Sequence, residues 1–515
     1  MANLQVGVAG NGTVTVGAGA SVHSPASNTL TLGTNGDERL RITSAGKVGI
    51  NQATPEALLH IEAGSSGASY TANAADTLIL ERDGACLVDI RTTSAVEGGI
   101  VFSDNGARAI GRMLYNHNEN SMNFTTNSIE RLVIRVDGNV SIASSLAVAG
   151  VSTAAAFLPS VGQLANKNLV INGAMKVAQR GTTSSTQGTF VCDRFESTGS
   201  GHDEVPTHSQ HALSSSDTGP WADGFRYSWH IQNGNQTGGA GTGDYWQPQY
   251  KFEAQDIRNA GWDYTSASSY ITLSYWIKVS VAGDYTFNLT TEDGTGQRYP
   301  MSTGSLSANT WTKITKTIPG NSNITITNDN GSGLTIMWYP YLGSNYTSGA
   351  TANAWAASAG NNYGTTNTTS WWTTNDSTWE ITGVQVEVGS VATPFEFLKY
   401  GQELALCQRY YQEFPRGAAD NYGPIGTGRI RNGTNAHIIV YFPEMRTSPT
   451  VTKSGDLRIL HAATSTAVNS VASSHMTRNI IFLEGIVASG LTQGEGCMMT
   501  ANNDADGKIT LSAEL

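Results

Sequence analysis

"ITGVQVEVGSVATPFEFLKYGQELALCQRYYQEF" runs from Ile381 to Phe414. Its first third alternates apolar and polar residues, the period of a half-buried strand. Its last third does not: Leu404, Cys407, Tyr411 and Phe414 recur at i, i+3, i+7 and i+10, one stripe of a helix. Leu406 and Tyr410 add a second stripe, and Gly401 and Pro415 bracket the segment. Two stripes are more apolar surface than one short helix needs against a single sheet. The expectation is therefore a connector over 400–415 at which three copies meet, with Leu404, Cys407, Tyr411 and Phe414 forming the joint.

The chain around this connector is committed to strands. It has 515 residues, of which only 14% are charged, and it contains 57 glycines. An ordinary globular chain carries about a quarter charged residues. Hydrophobic residues still make up 39%, so the chain can build cores. Short apolar runs separated by Gly, Ser, Thr and Asn read as an all-β protein. The net charge is −11 with no basic run, which excludes nucleic acid as a partner on electrostatic grounds. No apolar stretch of about 18 residues occurs, so no membrane insertion is expected. The opening residues, MANLQVGVAGNGTV, do not read as a secretory signal, and Cys86, Cys192, Cys407 and Cys497 are far apart. Isolated thiols in a chain made in a reducing cytoplasm are expected.

The first 150 residues contain a repeat. "LGTNGDERLRITSAGKVGI" (Leu32 to Ile50) and "FTTNSIERLVIRVDGNVSI" (Phe124 to Ile142) share Thr34, Asn35, Glu38, Arg39, Leu40, Ile42, Gly46, Val48 and Ile50 at a constant offset of 92 residues. Each copy alternates about a Gly turn, the pattern of a hairpin with one apolar face. Such a hairpin is too small to form its own core and must stack on copies of itself. Three parallel chains would bury the stripes on a common axis.

This region resembles a unit of the tail fibres of tailed bacteriophages, which pairs a Tyr-x-His with Met-x-Phe, Thr-Asn, Glu-Arg-Leu and Gly-x-Val-x-Ile. The chain carries Tyr115, His117, Met122, Phe124, Thr126, Asn127, Glu130, Arg131, Leu132, Gly138, Val140 and Ile142 in that order. "NLVINGAMKVAQRGT" (Asn168 to Thr182) is similar to a second fibre signature. Residues 381–412 are similar to a third, through Thr382 to Gln385, Glu387, Gly389, Ala392 to Glu396 and Cys407 to Tyr411. The resemblance implies a homotrimeric stem over residues 31–150 and a virion-attachment segment over 1–30. That segment would dock on a baseplate, tail hub or adaptor protein.

After a junction at 151–167, residues 168–399 read as a jelly-roll sandwich. The strands are Ile271 to Val279, Gly283 to Leu289, Trp311 to Ile318, Leu334 to Tyr341 and Trp379 to Val388. Their order resembles carbohydrate-binding modules. All 11 tryptophans fall between Trp221 and Trp379. Trp276 and Trp311 alternate with apolar neighbours and read as core. Trp338 has the same strand setting, where a concave sheet face could expose it. Trp355, Tyr363, Trp371 and Trp372 lie in Gly-, Asn- and Thr-rich loops. Aromatic plates among amides and hydroxyls suit the apolar face and hydroxyl rim of a sugar, so these four are the glycan-binding candidates. The alternative is that they fold back onto the sandwich edge or a neighbouring subunit.

Residues 416–515 return to strands, with Ala436 to Pro443, Asn479 to Ser489 and Gly507 to Leu515 forming a β-sandwich tip. Its Gly-rich loops offer a second candidate surface at Tyr422, Arg429 and Arg431. Catalytic signals are poor. Glu292 and Asp293 are adjacent and read as a turn. "NNDADGK" (Asn502 to Lys508) lacks the closing Glu of a calcium loop. His202, His208 and His211 with Asp203 fit no standard metal spacing. No cofactor motif occurs.

The expected whole is an all-β, elongated trimeric stem followed by a jelly roll, a short connecting helix and a β-sandwich tip. The expected function is adhesion to a host bacterial surface polysaccharide, such as lipopolysaccharide, by a virion tail fibre that is not an enzyme. Two other readings are a polysaccharide-degrading tailspike and a structural fibre segment carrying a separate adhesin.

Overall fold

The computed structural model describes residues 13–15, 19–68, 72–143, 166–366, 369–416 and 421–515. The chain divides into two compact units, Met1–Ala155 and Ala156–Leu515. The fold is all-β with three short helices and one 3-10 turn among the described residues. None of those helices is long and apolar enough to cross a membrane. Much of the expected attachment segment, and the expected junction at 151–167 except Asn166 and Lys167, lie outside the described residues.

The first unit holds a seven-stranded sheet and a five-stranded sheet. The two repeat copies adopt the same geometry. Leu30–Thr34 pairs with Asp37–Ile42, and Ser121–Thr126 pairs with Ile129–Ile134, each with an irregularity at the equivalent place. The turns use Asn35 (φ 55°) with Gly36 (φ 81°), and Asn127 (φ 51°) with Ser128 (φ 61°). Two consecutive left-handed residues are the hairpin turn that matches strand twist. Arg39 donates to Thr34 Oγ1 and Arg131 to Thr126 Oγ1, so one cross-turn bond is repeated.

Burial in this unit is meagre. Only Thr31, Gly49, Pro55, Ala57, His60, Ser121 and Val133 are buried among its described residues. Leu30, Leu32, Ile42, Ile50, Ile100, Phe102, Ile134, Val140 and Ile142 are exposed. A unit of this size normally removes more than half of its surface from water, and contiguous apolar surface on this scale marks an interaction face.

The second unit contains a sandwich of two antiparallel sheets. The first sheet runs Thr183–Ser184, Thr207–Ala212, Tyr227–Gln232, Thr378–Val388, Tyr270–Val279, Thr312–Pro319. The second runs Phe195–Ser200, Tyr245–Glu253, Ser332–Tyr339, Gly283–Thr291, Gln297–Leu306, Ala356–Ala357. Phe195, Trp229, Trp246, Tyr275, Phe287, Trp338 and Trp379 fill the space between them. Trp338 points inward, so its sheet face does not expose it. Trp276 instead leans outward onto a smaller cluster of Leu213, Phe225 and Trp311, with its Nε1 donating to Asp223.

The connector differs from its sequence reading. The helix spans Tyr400–Gln408 and stops before the end of the apolar stripe. Tyr411–Phe414 is a strand paired with Lys508–Ser512. Tyr411 and Phe414 are buried within this one chain, Tyr411 beneath the Arg180 guanidinium at 3.8 Å and Phe414 beside Phe442. Cys407 is buried and Leu404 half-buried. Of the four proposed joint residues, Tyr411, Phe414 and Cys407 are thus consumed by packing inside the chain.

The tip continues from that strand as a three-stranded and a seven-stranded sheet around Ile430, Ile438, Ile459, Leu483, Met499 and Leu511. Charged side chains tie tip, connector and sandwich together. Glu514 accepts from Arg180 at 2.6 Å and also pairs with Arg194. The Arg194 guanidinium lies 3.5 Å over the Tyr410 ring.

Candidate functional site

Strand alternation gives the second sheet two unlike faces. Tyr285, Phe287 and Leu289 point into the core, and so do Leu334, Ile336 and Trp338. Their neighbours Thr286, Asn288, Thr290, Thr335, Met337 and Tyr339 therefore point outward. On the adjoining strand Trp246, Tyr250 and Phe252 are core, which leaves Tyr245, Gln247 and Gln249 outside. The segment after Leu342 arches over this outer face and brings Tyr346, Asn362 and Tyr363 to it.

A continuous run of hydrogen bonds crosses that face. Gln249 Nε2 donates to Glu196 Oε1 at 2.8 Å, and Lys251 pairs with the same oxygen at 2.9 Å. Gln247 Nε2 donates to Gln249 Oε1 at 2.8 Å, and the Tyr339 hydroxyl donates to Gln247 Oε1 at 3.0 Å. Asn288 Nδ2 donates to the Tyr363 carbonyl at 2.7 Å and reaches the Tyr339 oxygen at 3.4 Å. Thr290 donates to Asn288 Oδ1 at 2.9 Å. Arg298 donates to Thr290 Oγ1 at 3.0 Å and to Asn362 Oδ1 at 2.8 Å. The run joins five neighbouring strands and one loop. Such a network holds each amide and phenol in a single orientation.

One end of the face is aromatic. Tyr245, Tyr346 and Tyr363 form an edge-to-face series with ring centroids 5.5 and 5.7 Å apart. With Gln247, Tyr339 and Leu342 they line a cavity of about 120 Å³. Burial, then the neighbouring Tyr346 and Tyr363, push the Tyr245 phenol above its ordinary pKa. Burial raises the Tyr339 phenol further. Both hydroxyls stay protonated at neutral pH; the buried Tyr339 donates to Gln247, which leaves Tyr245 as the donor toward the cavity.

Of the four aromatic candidates named from sequence, only Tyr363 stands on this face. Trp371 and Trp372 are fully buried, which removes them as sugar platforms. They sit in a one-turn helix, Thr369–Thr373, that plugs the sandwich. Trp371 Nε1 donates to the Thr378 carbonyl and Trp372 Nε1 to the Gly239 carbonyl at 2.7 Å. Asn233 Nδ2 donates to the carbonyls of both tryptophans. Trp355 is half-buried against Tyr299, its Nε1 bonded to the Pro319 carbonyl at 2.7 Å, so it braces the sandwich edge.

The second candidate surface is dispersed. Arg458 lies over the Tyr422 ring at 4.7 Å, whereas Arg431 pairs with Glu484 at 3.1 Å and Arg429 is exposed. The three histidines also separate. His202 packs edge-on against Trp246, His208 is buried in the core, and His211 meets Glu380 on the outer face of the first sheet. Asp293 accepts from the Thr327 amide and hydroxyl, consistent with a turn.

Tyr245, Gln247, Gln249, Asn288, Arg298 and Tyr339 were not singled out from sequence. The signal was present in "YWQPQYKFE" (Tyr245 to Glu253), where amides alternate with aromatic residues. A strand so written has one apolar and one amide face.

No protein-family model matches the chain, and no curated protein matches it. Among solved structures it is similar to the enzymatically active domain of tailspike protein 4 of bacteriophage CBA120, at 11% identity and a TM-score of 0.23, over 43% of this chain. The match spans only 21% of that tailspike. It is also similar to a family 11 carbohydrate-binding module of Clostridium thermocellum bound to a mixed-linked tetrasaccharide, at 12% identity and a TM-score of 0.19, over 41% of this chain and 98% of that one. A tandem pair of family 22 modules from Paenibacillus barcinonensis matches at 10% identity and a TM-score of 0.22, over 70% of this chain and all of theirs.

Proposed function

We propose that this chain is a homotrimeric tail-fibre adhesin of a tailed bacteriophage, and that the outer face of its second sandwich sheet holds a bacterial surface glycan without cleaving it. The half-buried Tyr245, Gln247, Tyr346 and Tyr363 carry the reading, held in place by a hydrogen-bonded run whose Gln249, Asn288, Thr290, Tyr339, Arg298 and Asn362 are buried. Sugar hydroxyls both donate and accept, and so do the Gln247 amide and the Tyr245 and Tyr363 phenols. The tyrosine series at one end offers ring faces to the C–H side of a sugar. Binding is favoured over hydrolysis because a glycosidase needs two carboxyl groups about 5–10 Å apart. Glu196 is the carboxylate of the run, and Lys251 and Gln249 hold it.

The fibre assignment is supported by the three sequence signatures. The trimer is supported by the exposed apolar rows of the first unit, which copies of this chain would cover on a common axis. The amino-terminal end would dock on a baseplate, tail hub or adaptor protein, in the virion. Three weak sites on one axis raise the effective concentration without any new contact.

The test uses purified full-length chain and polysaccharide extracted from a susceptible host. Saturable binding is expected, and the double substitution Gln247→Ala, Tyr346→Ala should remove it while leaving the melting temperature in place. New reducing ends appearing in the mixture would favour the tailspike reading instead.

A further inference from the structure

Among the described residues only two arginines are buried, Arg194 at 2% exposure and Arg298 at 4%. Arg194 has a counter-charge in Glu514. Arg298 has none within ion-pair distance among those residues. Its partners are neutral: the Thr290 hydroxyl, the Asn362 amide oxygen and the Ala359 carbonyl. A guanidinium withdrawn from water with only neutral partners keeps its whole charge in a low-dielectric place.

That charge is aimed. The guanidinium lies 3.6 Å from the centroid of the Tyr363 ring, and Tyr363 lines the tyrosine cavity. The field of Arg298 also favours ionisation of the Tyr339 phenol, which lines the same cavity, although burial outweighs it. The cavity therefore combines phenol donors with an unneutralised cation behind one wall. At the other end of the run Lys251 and Glu196 cancel.

We propose that the outer face selects a glycan bearing an anionic group, carboxylate or phosphate, and seats that group at the Tyr245–Tyr346–Tyr363 end, with sugar hydroxyls along Gln247. The proposal rests on the glycan reading above and narrows its substrate class. The Tyr245 and Tyr363 hydroxyls donate to the anion, while Tyr346 and Tyr339 donate to the Gly243 carbonyl and Gln247, and Arg298 acts through the Tyr363 ring as a positioning and field-setting residue.

The experiment is an array of bacterial surface polysaccharides probed with the full-length chain. Each acidic member is printed native, after carbodiimide–borohydride reduction of its carboxyl groups, and after removal of phosphate by hydrofluoric acid. Binding is expected on acidic members and should fall about tenfold or more, roughly 1.4 kcal/mol, on whichever treatment removes the anion. That treatment identifies carboxylate or phosphate. Arg298→Met should erase the preference and Arg298→Lys should keep part of it. Thermal melting of both variants separates this from loss of the loop that Arg298 holds. Binding that favours neutral members, or survives both treatments, overturns the charge selection and leaves the glycan reading standing. No binding to any member overturns both.

Discussion

Arg409 donates through Nε and Nη2 to the two carboxylate oxygens of Glu253, at 2.7 and 2.8 Å. Glu253 ends a sandwich strand and Arg409 follows the connecting helix, so this bidentate pair joins the two. The Tyr410 hydroxyl adds a third bond to Glu253 at 2.5 Å. Burial alone would raise the Glu253 pKa, but the bonds from Arg409 and Tyr410 outweigh it and hold the carboxyl below its ordinary value. A carboxyl with a lowered folded pKa stabilises the fold above its unfolded pKa, about 4.3, and that contribution is lost as pH falls through the folded value. Arg409→Met should cost about 3 kcal/mol by leaving the buried carboxylate without its counter-charge, with only Tyr410 and Gln255 donating to it. Denaturant titrations at pH 7 and pH 3 should show the penalty shrinking in acid.

The one-turn helix that plugs the sandwich makes a different prediction from exposed sugar platforms. Trp371→Ala and Trp372→Ala should each destabilise the second unit by about 3–5 kcal/mol, as for other buried tryptophans. Calorimetry of the two variants checks this. Wild-type melting with lost glycan binding would restore the platform role.

Within the groove, Tyr363→Ala should weaken glycan binding by about 1–3 kcal/mol if the ring is an anchor. Isothermal titration against the best-binding polysaccharide measures it. Trp355→Ala, which removes a brace outside the groove, should shift melting and leave the dissociation constant within about twofold, a difference of roughly 0.4 kcal/mol.

His208 titrates in a window of its own. It is fully buried beside Ser197, and burial pushes its pKa down to about 4. An unfolded histidine takes up its proton near pH 6.5, so stability should fall as pH drops from about 6.5 to 4, by about 3 kcal/mol in all. His208→Gln should flatten that slope, and urea midpoints measured every half pH unit would reveal it.

The first unit predicts assembly. Ile42→Lys and Ile134→Lys change residues that one chain exposes, and surface changes normally matter by less than about 0.5 kcal/mol. Light scattering should give a trimer for the parent and a smaller species for the double variant. A monomeric parent at micromolar concentration would remove the fibre reading.

Local signals were legible and non-local ones were not. The repeat could be read at the level of its Gly turns, because Gly46 (φ 78°) and Gly138 (φ 81°) need only their own left-handed conformations. Leu40 and Ile42 pair with Ile50 and Val48 across the first, as Leu132 and Ile134 do with Ile142 and Val140 across the second. The turns at Asn35-Gly36 and Asn127-Ser128 were not read. The long sandwich strands followed from alternation alone. The helix end did not, because Tyr411–Phe414 keeps helical spacing on paper while its backbone bonds go to Lys508–Ser512, nearly a hundred residues on. Trp371 and Trp372 looked exposed because their neighbours in sequence are polar. Their burial depends on Asn233 and Gly239, from a distant loop. Arg298 looked like any strand arginine until the absence of a carboxylate beside it could be seen in three dimensions.

The ion pairs that bind tip to sandwich also bear on how such chains can be exchanged between genomes. A recombination joint placed within the Tyr400–Gln408 helix would hand Glu253 and Arg194 to a foreign tip with no Arg409 or Glu514 to meet them, and each stranded charge would weigh on the hybrid. A joint placed before Asn166 severs none of these pairs. Sandwich, helix and tip should therefore travel through evolution as one cassette, and under the proposed adhesin function a change of glycan would come from replacing the whole block or from substitutions on the outer face.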